Sequence, residues 1–377
     1  TGLKLAALDW TSAAPPLTAA DNLKLIPPPT RRNIRTDETT IAEVLRGAGY
    51  ATAHFGKWHL GGGGPEKHGY DVSDGDTGNE DAAPFTDPNP VDIFGMTDRA
   101  TAFMRRSVEA GKPFYLQMSW HALHYPENAM KETLAKYAKL PPGRKHHDIE
   151  RAAITENLDT GVGKLLEAIG KLGIAENTYV IYMSDNGSGG GKRGGVSGGK
   201  GSLREGGIRV PFIVRGPGIA PGSFCPIPVS GTDLFPTWCK LAGAKAVSVE
   251  GGDIAPLWHG GNEGPVRKDP GVLFHFPQYQ SPDGPSSALI DGRYKALKLY
   301  ESGRTLLFDL ESDPGETWDI SAEKPDIARS MTARLEKRLA DAKASLPKPN
   351  PSFDPAKAVD WKEQRKGGRK NKKNKAK

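Results

Sequence analysis

The chain has 377 residues, 37% hydrophobic and 25% charged, enough for one large globular domain and a smaller one. No apolar run is long enough to span a membrane, and two cysteines, Cys225 and Cys239, make neither a disulfide framework nor a zinc-ligand pattern. The net charge of +6 sits at one end: eight Lys or Arg and no acid lie between Arg365 and Lys377, which leaves the rest at −2, and no nucleic-acid-binding motif accompanies them.

Residues 1–35 are rich in Pro, Thr and Ala without periodicity and read as an extended surface segment. Thr40 and Glu43 are spaced as a capping box for a helix from residue 39, which Gly47 and Gly49 stop. A buried strand follows over 50–55, then a loop dense in Gly, Asp and Pro over 61–90. Residues 98–109 read as a helix, 113–119 as a strand, and 149–172 as a helix with Ile154, Leu158, Val162, Leu165 and Ile169 at helical spacing. The apolar run 178–183 is expected to be a central strand of a parallel sheet, covered on both faces. A Gly-rich loop spans 187–207 and a strand 210–214. Beyond residue 262, four short strands near 272–274, 287–290, 294–299 and 305–309 imply a small antiparallel sheet, followed by a charged amphipathic helix over 326–344. The expected fold is α/β, a mainly parallel central sheet sandwiched by helices with a smaller C-terminal antiparallel sheet plus helix. Its expected division is 1–262, 263–346 and an unstructured Pro/Lys-rich basic tail over 347–377.

Three polar clusters lie directly after strands, where ligand sites form in open α/β sheets. They are Gly56-Lys57-Trp58-His59-Leu60-Gly61, His121-Ala122-Leu123-His124, and Asp185-Asn186-Gly187, with Lys200 in the loop leading away from the third. Singly, each has an ordinary reading: a solvated lysine, a core histidine, a tight turn. Lys200 is followed by Gly201, so its loop is not a P-loop. Gathered at one sheet edge, Lys57, His59, His124 and Lys200 would form a cationic pocket, and Asp185 and Asn186 offer hard oxygens that suit calcium or magnesium better than zinc. Cations, a divalent metal and imidazoles are what transfer of a sulfuryl or phosphoryl group needs, so the residues alone support hydrolysis of an anionic ester.

The run Ala48-Gly49-Tyr50-Ala51-Thr52-Ala53-His54-Phe55-Gly56-Lys57-Trp58-His59-Leu60-Gly61 closely resembles the second sulfatase signature. The His121–His124 segment, Ser184-Asp185-Asn186-Gly187 and the stretch from Gly199 to Pro211 match further blocks in the family's order, with Asp233-Leu234-Phe235-Pro236-Thr237 and Asp313-Pro314-Gly315-Glu316 as later landmarks. The resemblance, to arylsulfatase A-like members of the alkaline phosphatase superfamily, runs from about residue 37 to 344. It implies a formylglycine nucleophile made from Cys or Ser, installed by a formylglycine-generating enzyme or maturase, and a calcium ion in preference to magnesium. It further implies that Lys57 binds sulfate and the nucleophile and that His59 hydrogen-bonds the formylglycine hydroxyls. His124 and Lys200 would hold the sulfate and help protonate the leaving oxygen, and Asp185 and Asn186 would bind calcium. His275 resembles a segment that reaches the substrate side of the pocket in some relatives. The implied partner is a sulfated small molecule or glycan, and the implied location is the periplasm or the exterior, although no signal peptide is visible.

The pattern is also broken. The family's Cys/Ser-x-Pro/Ala-x-Arg motif, and the aspartate pair before it, are not found upstream of Lys57, and Cys225 and Cys239 lie in the wrong context. The expectation is an N-terminally truncated sulfatase without turnover as it stands. The rival readings are a phosphate mono- or diesterase of the same superfamily, a non-catalytic sulfated-glycan-binding protein, and polyanion binding by the basic tail.

Overall fold

Thr40 opens the first helix in the manner its spacing implies. Its hydroxyl accepts the Glu43 N–H at 3.2 Å, the Glu43 carboxylate accepts the Thr40 N–H at 2.8 Å, and α1 runs Ile41–Gly47. The computed structural model describes residues 22–358 apart from 126, 144–146, 189–194, 246, 263, 266, 268, 281 and 282. The first 21 residues and the tail from residue 359, including its run of basic side chains, therefore lie outside the described residues.

After β1 (Leu25–Ile26) and α1, strand β2 (Ala51–Gly56) pairs in parallel with β3 (Val72–Ser73) on one side and β4 (Phe114–Ser119) on the other. Alternation along the strands gives the sheet two unlike faces. Ala53, Phe55, Phe114, Leu116 and Met118 pack on Met96, Ala100 and Phe103 of α2 (Ile93–Glu109). The other face is polar: His54 Nε2 lies 3.0 Å from Ser119 Oγ, and the Tyr70 and Tyr115 hydroxyls donate to Gln117 Oε1 at 2.7 and 3.2 Å. Helix α2 begins five residues before the expected start, because the Asn89 side chain accepts the N–H groups of Phe94 and Gly95 at 2.9 and 3.1 Å. Helix α3 (Lys131–Ala138) packs on α4 (Ile149–Lys171), with Asn157 accepting the Met130 N–H and donating to Thr133 Oγ1, both at 3.0 Å.

Strand β5 (Val180–Met183) corrects an expectation. Among the described residues it pairs only with β6 (Phe212–Arg215), antiparallel, and α5 (Glu205–Ile208) lies between the two in sequence. Tyr182 and Met183 keep 37% and 36% of their surface exposed, so the strand is not covered on both faces. An unbroken apolar run reports a strand's composition, not how many neighbours it has.

Helices α6 (Leu234–Leu241) and α7 (Ala255–Trp258) share a core with the β5–β6 pair, and Trp238 of α6 meets Tyr115 edge-on at 6.4 Å. Strands β7 (Val272–Phe276), β8 (Ser286–Asp291), β9 (Tyr294–Leu299) and β10 (Thr305–Asp309) form the expected antiparallel sheet in the order β10-β9-β8-β7. Leu273, Leu289, Ala296 and Leu307 on one face bury Met331, Leu335 and Leu339 of α8 (Pro325–Asp341). Ala288, Leu297, Leu306 and Phe308 form a second cluster with Leu203 and Ile208 from the Gly-rich loop and α5.

Both ends of the described chain are more ordered than their composition implies. Strand β11 (Lys348–Pro349) pairs antiparallel with β1, the Asn350 side chain donates to Leu23 O at 2.8 Å, and Leu23 and Leu25 are buried with Tyr279. Residues 22–35 are thus not simply a surface segment, and residues 348–350 are not an unstructured tail. The contacts join residues more than 250 positions apart, and single apolar residues without periodicity carry no signal of such a partner.

Candidate active site

Strand β2 ends at Gly56, whose φ of 92° belongs to the left-handed region and where a Cβ would lie 2.3 Å from Ser119 O. Only glycine lets the chain turn here against β4. The Lys57 N–H then donates to Ser119 O at 2.8 Å, and Thr77 fixes the next two residues, its Oγ1 accepting the Trp58 N–H at 3.0 Å and its carbonyl accepting the His59 N–H at 2.8 Å. Trp58 is buried among His54, His68 and Tyr70, with ring centroids 5.3, 5.4 and 6.1 Å away, and its indole N–H donates to Gly61 O at 2.7 Å. Burying Trp58 leaves its neighbours outside: Lys57 is half-buried and His59 is exposed.

The second cluster follows β4. His121 is buried and its Nδ1 has no hydrogen-bond partner among the described residues, while the His124 N–H donates to His121 O at 2.9 Å across the cis Ala122–Leu123 peptide. His124 Nδ1 lies 2.8 Å from Tyr125 O. A carbonyl only accepts, so Nδ1 carries the proton and Nε2 is left for a ligand.

In the third cluster the Gly187 N–H donates to Gly207 O at 2.9 Å, and a Cβ on Gly187 would lie 1.9 Å from Gly206 O. The Asp185-Asn186-Gly187 turn thus rests directly on the loop that carries Lys200. The Lys200 N–H donates to Ser188 O at 2.8 Å, which closes the same contact.

These groups act on one another. Burial first, then the charge of Lys200, lowers the Lys57 ammonium pKa, while Asp185 and Glu80 push it back up. Burial and the charges of Lys57 and Lys200 lower His59. His124 is lowered by burial and by the same two lysines, against the hydrogen bond to Tyr125 O and the charge of Asp185. The charges of Lys57 and Lys200 thus reach His59 and His124, and the charge of Asp185 reaches Lys57 and His124. His275 is not brought into this group: Nδ1 lies 2.6 Å from Ser287 Oγ, Nε2 lies 3.1 Å from Ser345 O, and burial lowers its pKa with no contribution from the two lysines. Both nitrogens of His275 are thus engaged within the C-terminal region.

Residues the sequence reading passed over support the first cluster from behind. The Gly56 N–H donates to Asp74 Oδ2 at 2.7 Å, and Arg99 pairs with Asp74 at 2.8 Å and with the buried Asp92 at 2.6 Å. Asp74 and Thr77 lie in the loop after β3, where acids and hydroxyls are common and nothing marks these two.

Calcium can be tested against the donors present. Asp185 is exposed, Asn186 is partly exposed, and Ser184 Oγ donates to the Asn186 backbone carbonyl at 2.8 Å, so the turn offers a side-chain carboxylate and a side-chain amide oxygen. They fit a hard cation as two of the six to eight oxygens that calcium takes. Among the described residues no group of three or more His, Cys, Asp or Glu is placed to hold a metal. Cys225 is exposed in the 217–229 loop and Cys239 is buried on α6; both are free thiols, which settles that they are not bridged to each other.

Lys57 and His124 thus follow strands of the parallel sheet, Asp185 follows β5, and a smaller antiparallel sheet completes the fold. Comparison with known proteins supplies the class. The sulfatase family model matches residues 17–244, more than half of the chain, and the model for the C-terminal part of N-sulphoglucosamine sulphohydrolase matches 199–345. Human arylsulfatase A is 29% identical over 377 aligned residues, covering 81% of this chain and 72% of that protein. A sulfatase of Formosa agariphila is 33% identical over 273, covering 64% and 48%. The crystal structure of Ps i-CgsB in complex with k-i-k-neocarrahexaose superposes with a TM-score of 0.71 at 25% identity, covering 96% of this chain and 84% of that one. The chain belongs to the sulfatase family.

Proposed function

We propose that the cluster binds the sulfuryl end of a sulfate ester, so that this chain recognises the substrate of a sulfuric ester hydrolase acting on a sulfated carbohydrate. The observation that carries this reading is the placement of Lys57 and His59 after β2 and His124 after its parallel neighbour β4, with the Asp185 turn held on the Lys200 loop by the Gly187 N–H to Gly207 O and Lys200 N–H to Ser188 O bonds. The charges of these groups reach one another. A sulfate monoester spreads one negative charge over three oxygens, and Lys57 and Lys200 offset it. His124 turns Nε2 to the ester. With an anion between the lysines their charge is offset, and the imidazole can take up the proton it passes to the leaving oxygen. His59 would hydrogen-bond the hydroxyls of a formylglycine, which would supply the nucleophile. Asp185 and Asn186 would hold a calcium ion, which when bound supplies positive charge to the sulfate oxygens.

No residue of the chain fits the formylglycine: Cys225 and Cys239 are remote in sequence from Lys57 and lack the motif. The chain by itself is therefore expected to bind the ester without turning it over. A carbohydrate ester is supported by the neocarrahexaose bound to Ps i-CgsB and by Tyr125, which is 79% exposed beside His124 and offers a flat face for a sugar ring. Location in the periplasm or outside the cell goes with this reading. No helix among the described residues is long and apolar enough to cross a membrane.

Calorimetric titration with 4-nitrophenyl sulfate, a galactose 6-sulfate and 4-nitrophenyl phosphate tests the proposal. Saturable binding of the sulfates is expected, tighter with calcium, with Lys57→Ala and Lys200→Ala each weakening it about tenfold or more. Asp185→Ala should remove the gain from calcium. Tighter binding of the phosphate would favour a phosphoesterase. Absence of saturable sulfate binding, or calcium-dependent release of 4-nitrophenol by this chain, would contradict the account.

A further inference from the structure

Lys295 points into the protein from β9 and has none of its surface exposed. Its Nζ lies 2.8 Å from Glu316 Oε1 and 3.2 Å from Glu205 Oε1, and both carboxylates are buried. The second Glu316 oxygen accepts the backbone N–H of Glu205 at 2.7 Å, and Arg209 approaches Glu205 Oε2 at 3.5 Å. Two further links run beside these: Arg204 Nε pairs with Asp283 at 3.0 Å, and Ser202 Oγ donates to Asp283 Oδ2 at 3.1 Å. Ser202, Arg204 and Glu205 follow Lys200 within five residues, whereas Asp283, Lys295 and Glu316 belong to the C-terminal sheet and its loops. Leu203 and Ile208, on the same stretch, pack on that sheet's apolar face.

A buried ion triad is a poor source of stability, because the desolvation of its charges is large and well-packed apolar residues of similar shape often do as well or better. Apolar contact through Leu203 and Ile208 would already dock the loop. What the charges add is a fixed point of attachment, since Lys295 Nζ lies between Glu316 and Glu205 at 2.8 and 3.2 Å, and none of its surface is open to water that could replace either carboxylate.

We propose that Lys295, Glu205 and Glu316 form a buried electrostatic latch by which the C-terminal sheet sets the position of the Lys200 loop and, through Lys200, the affinity of the site for sulfate. The three are positioning residues and touch no substrate. The consequence for affinity rests on the proposed function; the consequence for the loop does not.

Lys295→Met alone leaves two buried carboxylates facing each other and is expected to unfold or loosen the region. The deciding variant is therefore the triple change Lys295→Met, Glu205→Gln, Glu316→Gln, which keeps shape and removes charge. Three readouts apply to the full chain: thermal unfolding, amide hydrogen exchange of residues 197–209, and calorimetric titration with inorganic sulfate. The triple variant should unfold within a few degrees of wild type, exchange faster across 197–209, and bind sulfate about tenfold more weakly. Placed in a Lys200→Ala background, the triple change should cost no further affinity, since the latch acts through Lys200; a merely structural role would lower affinity in both backgrounds alike. A folded triple variant with wild-type exchange and wild-type sulfate affinity would overturn the latch. If wild type binds no sulfate, the function reading fails separately, and the exchange comparison alone decides: faster exchange sustains the latch over the loop, and unchanged exchange ends it.

Discussion

Trp58 decides where its neighbours go. Its ring stacks on His68 and meets His54 and Tyr70 edge-on, so Lys57 and His59 on either side are turned to the surface. Behind it His54 is held neutral: burial, outweighing Asp74, drops its pKa from 6.5 to about 4. The sign of the consequence follows from linkage. The unfolded state takes up a proton below about 6.5 and the folded state only below about 4, so this stabilisation is complete above the unfolded value and fades as pH falls between them. A shift of that size corresponds to about 3 kcal/mol. Urea unfolding at pH 7 and pH 4.5 should show wild type losing stability with acid and His54→Gln losing distinctly less; equal losses would remove His54 from the acid response. At this scale the sequence marks Lys57, His59, His124, Lys200, Asp185 and Asn186 as candidates because each is a polar residue in a cluster or loop that follows a strand. It is silent on Asp74, Thr77 and Arg99, whose roles arise only when the loop after β3 and helix α2 come together. His275, offered by the resemblance, has its nitrogens beside Ser287 Oγ and Ser345 O, a pairing the sequence does not show.

Periodicity gave the elements that bury one clear face. Helix α4 was expected over 149–172 and runs Ile149–Lys171, and α8 was expected over 326–344 and runs Pro325–Asp341. What periodicity does not encode is pairing, which is why β5 was expected in a parallel sheet and is found antiparallel to β6, and why β1 and β11 were not foreseen. Helix α8 depends on its seam: Leu335 is fully buried against Leu273, Leu289 and Leu307. Leu335→Ala should cost about 2–5 kcal/mol, the usual range for a leucine deleted from a core. Chemical denaturation would measure it, and a loss under 1 kcal/mol would mean the seam between helix and sheet is looser than its burial implies.

Across the molecule, the parallel sheet supplies Lys57 and His124 from its strand ends, the turn after β5 supplies Asp185 and Asn186, and the loop that supplies Lys200 is gripped by the C-terminal sheet. The candidate site therefore draws on two regions whose composition differs along the chain. Their existence was legible from strand spacing, but the charged contact between them was not, since Lys295 looks in sequence like any solvent-facing lysine on an amphipathic strand. Docking loop and sheet through buried charge lets one region tune the other, which apolar contact alone would do without such a fixed point. The most direct measurement of the central claim is a crystal structure of the chain with 4-nitrophenyl sulfate. The account predicts the sulfuryl oxygens within about 2.7–3.2 Å of Lys57 Nζ, His124 Nε2 and Lys200 Nζ. An ester seated elsewhere, with those three groups in contact only with solvent, would contradict it.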